Sequence, residues 1–348
     1  MSALPPIATA KADMPQMVMS ALPLKADMCS AEGHVCYYGP EADIRAVVSR
    51  VRLTLANCEI KRHDLAWRLR EGAMITVPEL AAEALGSHLA QHMRRRFGSS
   101  DAGLIEIVQS TATLALDCIG NSDALYHNVE HTMLVTLVGY DILTGRRLLT
   151  ETSASDYAHI LVACLFHDIG YVRGILKGDS ADGYIINASG NKTRLPRGSS
   201  DAALMPYRVD RSKLYVMDRV KALDAARIAD AIEATRFPSN ESVHHSEEGM
   251  LVRAANLIGQ LGDPNYLRKA NALYYEFEEI GTNKQLGYAS PADLTEHYPQ
   301  FYWSRVSAQI ETAIRYLNIT SRGRQWIANL YSNVFRAERE PNLSGPQR

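Results

Sequence analysis

The chain has 348 residues, of which 46% are hydrophobic and 22% are charged. This balance is typical of a globular protein with a sizeable core and excludes a largely disordered chain. Lys and Arg number 37 against 39 Asp and Glu, a net charge of −2. We therefore expect no nucleic-acid-binding surface, because binding to a phosphate backbone requires a surplus of basic residues.

The sequence also predicts a cytoplasmic protein. We find no run that approaches the roughly 20 apolar residues of a membrane-spanning helix, and no secretory signal at the start. The five cysteines form no CxxC pair, which favours free thiols in a reducing compartment.

The first forty residues contain a two-copy repeat. Met1–Pro5 and Lys11–Met14 return as Met19–Pro23 and Lys25–Met28. The prolines interrupt any helix, and two copies are too few for a repeat fold. We interpret residues 1–40 as a low-complexity, disordered extension, with Met19 and Met28 as alternative start sites.

From residue 41 onward, apolar residues recur at the three- and four-residue spacing of helices. The predicted helices are 41–69, 79–97, 104–119, 123–143, 156–166, 223–236, 247–261, 264–281, 301–317 and 321–336. A Gly-, Ser-, Asp- and Asn-rich stretch, 170–213, predicts a long loop. No run alternates with a period of two, so the predicted fold class is all-α. We divide the chain into N-terminal helices (41–121) that pack on a core (122–336), and a flexible tail (337–348).

Two histidine-containing segments predict a metal site. His127 and His131 are four residues apart, which in the predicted helix 123–143 places both imidazoles on one face. The apolar run Ile160–Phe166 ends directly in His167 and Asp168. Imidazole nitrogens and a carboxylate oxygen are ligands for divalent ions such as Zn²⁺, Mn²⁺, Mg²⁺ or Fe²⁺, of which one or two would be bound. A metal ion would also compensate the cost of burying Asp168.

These segments resemble the HD superfamily of metal-dependent phosphohydrolases. The order Y-H-N-x-x-H from Tyr126, then F-H-D-I-G from Phe166, is most similar to the catalytic domain of cyclic-nucleotide phosphodiesterases. Further stretches follow in the family's order. These are Ile232–Arg236 (A-T-D), Ala255–Leu257 (A-D-L), and Glu276-Phe277 followed by Gly281 and Ser290–Asp293 (E-F, Q-G-D and S-P-x-x-D). The resemblance covers about residues 122–317 and implies a multi-helix HD-type bundle.

The resemblance implies a role for each matching position. His131, His167, Asp168 and Asn256 would be metal ligands, with Asp168 placed to bridge two ions. His127 would be the general acid in the hydrolysis of a phosphodiester or a cyclic nucleotide by metal-activated water. The implied partner is a small phosphorylated or nucleotide substrate, whose identity the sequence does not give.

Two positions depart from the family's pattern. Asn256 stands where the family has its last ligand, an aspartate, and an amide brings no negative charge to the cations. We expect weaker metal affinity or the loss of one ion, with Asp263 as a possible substitute at the helix end. Tyr171 stands where the phosphodiesterases usually have another histidine.

Three alternatives stay open. Because of Asn256, a degenerate HD domain could bind a nucleotide or a metal without turnover. His127-x-x-Glu130-His131 also matches the H-x-x-E-H signature of inverzincin peptidases, in which Glu130 would be the base. His244 and His245 could bind an extra metal, although a solvated loop before a helix that starts at Ser246 accounts for them better.

Overall fold

A computed structural model describes residues 75–98, 100–237 and 244–339. These residues are predominantly helical, as the sequence predicts. The helices are α1 Val77–Phe97, α2 Ala102–Ile119, α3 Val129–Leu149, α4 Ala154–Phe166, α5 Arg208–Arg219, α6 Ala225–Glu233, α7 Glu247–Leu261, α8 Tyr266–Glu279, α9 Thr282–Leu286, α10 Pro291–Phe301, α11 Ser307–Leu317 and α12 Ser321–Arg339. Residues 1–74, and with them the expected extension and the helix 41–69, lie outside the described residues.

Capping residues account for several helix boundaries. Thr76 begins α1 and Ser153 begins α4, each with a capping box that satisfies free amide groups of the first turn. Ser246 caps α7 by accepting a hydrogen bond from the Gly249 amide, so the predicted solvated start of this helix is confirmed.

The predicted helix 123–143 is wrong at both ends. Asn128 caps α3, and its side chain accepts hydrogen bonds from the amides of Glu130 and His131. Residues 123–128 are therefore non-helical, and α3 continues to Leu149. Consequently His127 and His131 do not share a helix face.

The predicted loop 170–213 contains regular structure. A 3₁₀ turn, Asp201–Tyr207, leads into α5, which begins at Arg208. Two-residue strands, β1 (Tyr184–Ile185) and β2 (Lys192–Thr193), pair antiparallel as a small hairpin. The predicted helix 301–317 is also interrupted, because a π turn, Tyr302–Val306, separates α10 from α11.

One hydrophobic core joins the N-terminal helices to the rest of the described chain. Buried side chains of α1 and α2, such as Leu89 and Val108, belong to the same cluster as Val135 of α3 and Leu161 of α4. A smaller cluster includes Tyr126, Ala270 and Leu273, and so holds the segment before α3 against α8.

Helix α2 is a partial exception to the expectation that no run of the chain approaches a membrane-spanning helix. Among the described residues, Ala102–Ile119 is long and apolar enough to cross a membrane by length and composition, with a mean hydropathy of 1.3. Its residues Ile105, Val108 and Leu116 are buried in the core cluster, and the helix packs against α1 and α4. This is the pattern of a core helix.

Candidate metal centre

Three chain segments bring the candidate residues together. His127 directly precedes the Asn128 cap, and His131 lies in the first turn of α3. The apolar helix α4 ends at Phe166, so His167 and Asp168 follow it at the point where the chain leaves the core. All four side chains are buried.

Asp168 lies at the centre of the group. Its Oδ2 is 3.0 Å from Nε2 of His167 and 3.4 Å from Nε2 of His131. Its Oδ1 faces the other way, 3.2 Å from Nε of Arg208. The two carboxylate oxygens thus have different surroundings, one with two imidazoles and the other with a guanidinium.

Several of these buried atoms have no hydrogen-bond partner within the described residues. They are both ring nitrogens of His131, Nε2 of His167 and both carboxylate oxygens of Asp168, of which Oδ1 is in an ion pair with Arg208. Leaving such groups unsatisfied is costly unless another species binds them. His127, His131 and Asp168 each offer one atom within 4.8 Å of the other two, and this buried group could hold a metal ion.

The ring of His167 is oriented for ligation. Its Nδ1 lies 2.8 Å from the carbonyl oxygen of Cys164, to which a protonated Nδ1 donates. This leaves Nε2, the nitrogen nearest Asp168, free as an acceptor. Metal-ligating histidines commonly have their second nitrogen fixed in this way.

His127 is held differently, by a carboxylate far away in the sequence. Its Nδ1 is 2.5 Å from Oε2 of Glu276 on α8. The other oxygen of Glu276 accepts hydrogen bonds from the backbone amides of Tyr126 and His127, at 2.7 and 3.1 Å. On its other side, the His127 ring stacks on Tyr171, with centroids 4.7 Å apart.

The two histidines of the Y-H-N-x-x-H segment have opposite electrostatic surroundings. Burial lowers the pKa of His131 to about 4, with a smaller contribution from the neighbouring His127 and His167, so His131 is neutral, as ligation requires. Burial also acts on His127, but the charge and hydrogen bond of Glu276 outweigh it, and the pKa of His127 is raised.

Asp168 is ionised despite its burial. Burial alone would raise the pKa of its carboxyl, but His167 and Arg208 outweigh this effect and hold the pKa well below its ordinary value. The carboxylate therefore carries a negative charge into the centre of the group.

Sequence reasoning missed Arg208 and did not assign a role to Glu276. Arg208 lay in the predicted loop, although Val209, Ser212 and Val216 have the spacing of a helix face and are buried. Glu276 appeared only within the resemblance to the E-F motif. The 149 residues between His127 and Glu276 leave no local signal for their contact.

Asn256 and Asp263 have different surroundings in the structure. Asn256 lies on α7, which packs against α3 and α4, and its Oδ1 is buried without a hydrogen-bond partner in the described chain. Asp263 follows the end of α7, and its Oδ2 is 2.5 Å from Nζ of Lys269. Its carboxylate is thus engaged by Lys269, which also contacts Glu130, and the interpretation of Asp263 as a marker of the helix end is confirmed.

A cavity of about 180 Å³ adjoins His131. Tyr126, Glu130, Asp263 and Lys269 form part of its wall. Nζ of Lys269 contacts Oε1 of Glu130 at 2.6 Å as well as Asp263. The cavity gives a small group a place beside the buried histidine.

The family model described as Npun_R2479-like matches residues 75–340, well over half of the chain. The chain belongs to the Npun_R2479-like family. No curated protein and no solved structure matches it. The matched range contains every residue of the metal group together with Glu276 and Arg208.

In this Npun_R2479-like chain, the glycine after the His-Asp pair positions the arginine. A Cβ on Gly170 would lie 2.0 Å from the carbonyl oxygen of Arg208. The Gly170 amide donates to Oγ of Ser212, which in turn donates to the His167 carbonyl. Only a glycine allows the start of α5 to approach the ligand-bearing turn this closely.

Proposed function

We propose that the protein is a metal-dependent phosphohydrolase that acts on a phosphodiester or a nucleotide. The observation that carries this proposal is the arrangement around Oδ2 of Asp168, with two imidazole nitrogens at 3.0 and 3.4 Å and no hydrogen-bond partner in the described chain. Ligands that bind one ion at roughly 2.0–2.2 Å lie about 3–3.5 Å from one another. These residues therefore fit a divalent cation.

His131, His167 and Asp168 would hold the ion. When bound, the metal would supply Lewis-acid polarisation of a phosphoryl oxygen and lower the pKa of water. The chain contributes fixed ligand positions, because the His167 ring is held by the Cys164 carbonyl and Asp168 follows a largely buried helix. Such rigidity favours charge stabilisation without reorganisation of the site.

His127 would serve as the general acid. Glu276 fixes its ring through Nδ1 and raises its pKa, which favours the protonated form. Its Nε2 would give this proton to the leaving oxygen of the substrate. Stacking on Tyr171 keeps the ring plane in one orientation. The buried group that could hold a metal ion includes His127, but we assign His127 to proton transfer because Glu276 raises its pKa and so favours its protonated form.

The substrate would be small and recognised locally. The net charge of −2 gives no surplus of basic residues for an extended phosphate backbone, whereas a cavity of about 180 Å³ lies beside His131. The described cysteines, Cys118 and Cys164, are free, which supports a reducing, cytoplasmic location.

A second candidate function is a regulatory module that binds a metal or nucleotide without turnover. Asn256 favours this function, since its amide brings no charge to the site and would weaken a metal held there. The peptidase alternative is disfavoured because Glu130 forms an ion pair with Lys269 at 2.6 Å and the His167–Asp168 pair would have no role in it.

One experiment separates these functions. Metal analysis of the purified protein is combined with turnover of bis-p-nitrophenyl phosphate in the presence of Mn²⁺. The phosphohydrolase requires both bound metal and turnover. Metal without turnover would favour the binding module, and its conversion to turnover by Asn256→Asp would identify this residue as the cause. Neither metal nor turnover would overturn the proposal.

A further inference from the structure

Arg208 occupies the side of Asp168 that a second metal ion would need. A carboxylate that bridges two ions uses one oxygen for each of them. Here Oδ2 faces the two imidazoles, whereas Oδ1 lies 3.2 Å from Nε of Arg208. A second divalent ion at Oδ1 would meet the positive guanidinium at close range.

Both the side chain and the backbone of Arg208 are restrained. Arg208 is only 9% exposed, and its Nη2 donates to the Thr235 carbonyl at 3.0 Å. The backbone of Arg208 contacts Gly170 so closely that a Cβ there would lie 2.0 Å from its carbonyl oxygen. A buried arginine with these restraints cannot swing away without leaving an unpaired charge in the interior.

The remaining charges near Asp168 also argue against a second ion. Asp168 and Arg208 cancel each other, and the Glu276 carboxylate is taken by His127. One divalent ion leaves the group with a moderate positive charge, whereas a second ion would add two further charges that no described carboxylate of the group compensates.

We propose that the centre binds a single divalent ion and that Arg208 provides the fixed positive charge that a second ion would otherwise supply. This inference rests on the proposed metal site and specifies the number of ions and the group that replaces one of them.

The test is the Mn²⁺ stoichiometry of the full-length protein, measured by equilibrium dialysis and by electron paramagnetic resonance. We expect one equivalent in the wild type, with the hyperfine pattern of an isolated ion. Arg208→Met should acquire a second, weaker equivalent and the broadened signal of a spin-coupled pair. Arg208→Lys keeps a positive charge and should stay at one equivalent.

Arg253→Met is the matched control. Arg253 is also 9% exposed, and its Nε donates to the carbonyl of Ala234, the residue next to the Thr235 that Arg208 contacts. It should remain at one equivalent. Circular dichroism establishes whether each variant is folded. If Arg208→Met does not fold, the Mn²⁺ stoichiometry of Arg208→Lys is compared with that of the wild type instead.

The outcomes separate this inference from the proposed function. Two equivalents in the wild type, or no second equivalent in folded Arg208→Met, would overturn the single-ion assignment, as would a second equivalent in Arg208→Lys. No bound metal in the wild type would overturn both. One bound equivalent without turnover of bis-p-nitrophenyl phosphate would contradict the phosphohydrolase function and leave the single-ion assignment standing.

Discussion

Nδ1 of His127 and Oε2 of Glu276 lie 2.5 Å apart, although 149 residues separate them along the chain. The same carboxylate also receives the backbone amides of Tyr126 and His127. Glu276 thus fixes both the backbone and the ring of the proposed acid, and through its charge it raises the pKa of that ring.

Replacement of Glu276 by Gln should reduce turnover without removing the metal. The amide cannot raise the pKa of His127, so we expect kcat to fall by about 10- to 100-fold, within the range that general acid catalysis contributes. The metal content should be unchanged. Glu278→Gln is the control, because Glu278 lies on the same helix and bonds to Asn283 instead. A loss of metal in Glu276→Gln would show that Glu276 supports the ligands rather than the acid.

Asp168→Asn should abolish most metal binding. Removing a hydrogen-bonded partner of a ligand weakens metal affinity by roughly 10- to 100-fold, and loss of a ligand's own charge should cost at least as much. Asp141→Asn serves as the control, since Asp141 is equally buried but accepts a hydrogen bond from Trp326. Calorimetric titration with Zn²⁺ or Mn²⁺ measures the difference. Unchanged affinity in Asp168→Asn would remove Asp168 from the ligand set.

Glu130→Gln distinguishes hydrolysis of phosphate esters from hydrolysis of peptides. In the peptidase alternative Glu130 is the base, and its loss would abolish activity. In the phosphohydrolase Glu130 forms an exposed ion pair with Lys269, and we expect less than about a twofold change in turnover of the phosphodiester. Turnover of a casein substrate and of bis-p-nitrophenyl phosphate is compared side by side.

Lowering the pH should destabilise the fold, because the Glu233 carboxylate becomes protonated. Burial acts to raise the pKa of Glu233, but hydrogen bonds from Arg236 and Lys213 outweigh it and lower the pKa from 4.5 to about 2. Because the folded-state pKa is lowered, this stabilisation is complete above about pH 4.5 and is lost as the pH falls toward 2. We expect a loss of about 1–2 kcal/mol after solvent screening.

Urea denaturation at several pH values measures this loss. Glu233→Gln should be less stable at pH 7 and should lack this part of the pH dependence. Glu247→Gln is the control, because the Glu247 side chain, which pairs with Arg146, is largely exposed. Parallel pH profiles for wild type and Glu233→Gln would contradict the assignment.

Gly170→Ala should destabilise the protein by roughly 1–3 kcal/mol or more, the cost of overpacking a site that cannot yield. The new methyl group would collide with the backbone of Arg208. Gly103→Ala is the control, because a Cβ at Gly103 in α2 meets nothing within 4 Å. Thermal unfolding of the two variants gives the comparison. Equal melting temperatures would show that the start of α5 can move away freely.

Local patterns predicted the helices and part of the metal centre. The run before His167 is so uniformly apolar that both a buried helix and a polar group at its end followed from it, and the structure has both. The N-terminal boundary of α3 did not follow, because the Asn128 cap competes with the apolar periodicity that continues on either side of it. Helix propensity averaged over a window of residues cannot locate such a cap.

The contacts that orient the site depend on tertiary structure. Arg208 reaches Asp168 only because Gly170 permits a close backbone approach, and Glu276 reaches His127 only because Tyr126 packs among residues of α8. Neither contact has a signal in the local sequence, because each joins segments that are distant along the chain.

The Asn128 cap also bears on how this site could vary among related sequences. His127 is on non-helical backbone and is anchored by α8, while His131 is carried by α3. The four-residue interval between the two histidines is therefore not fixed by the pitch of a helix. An insertion or deletion between them could be absorbed at the cap, so a sequence search that requires the H-x-x-x-H interval would overlook relatives that keep the same three-dimensional centre.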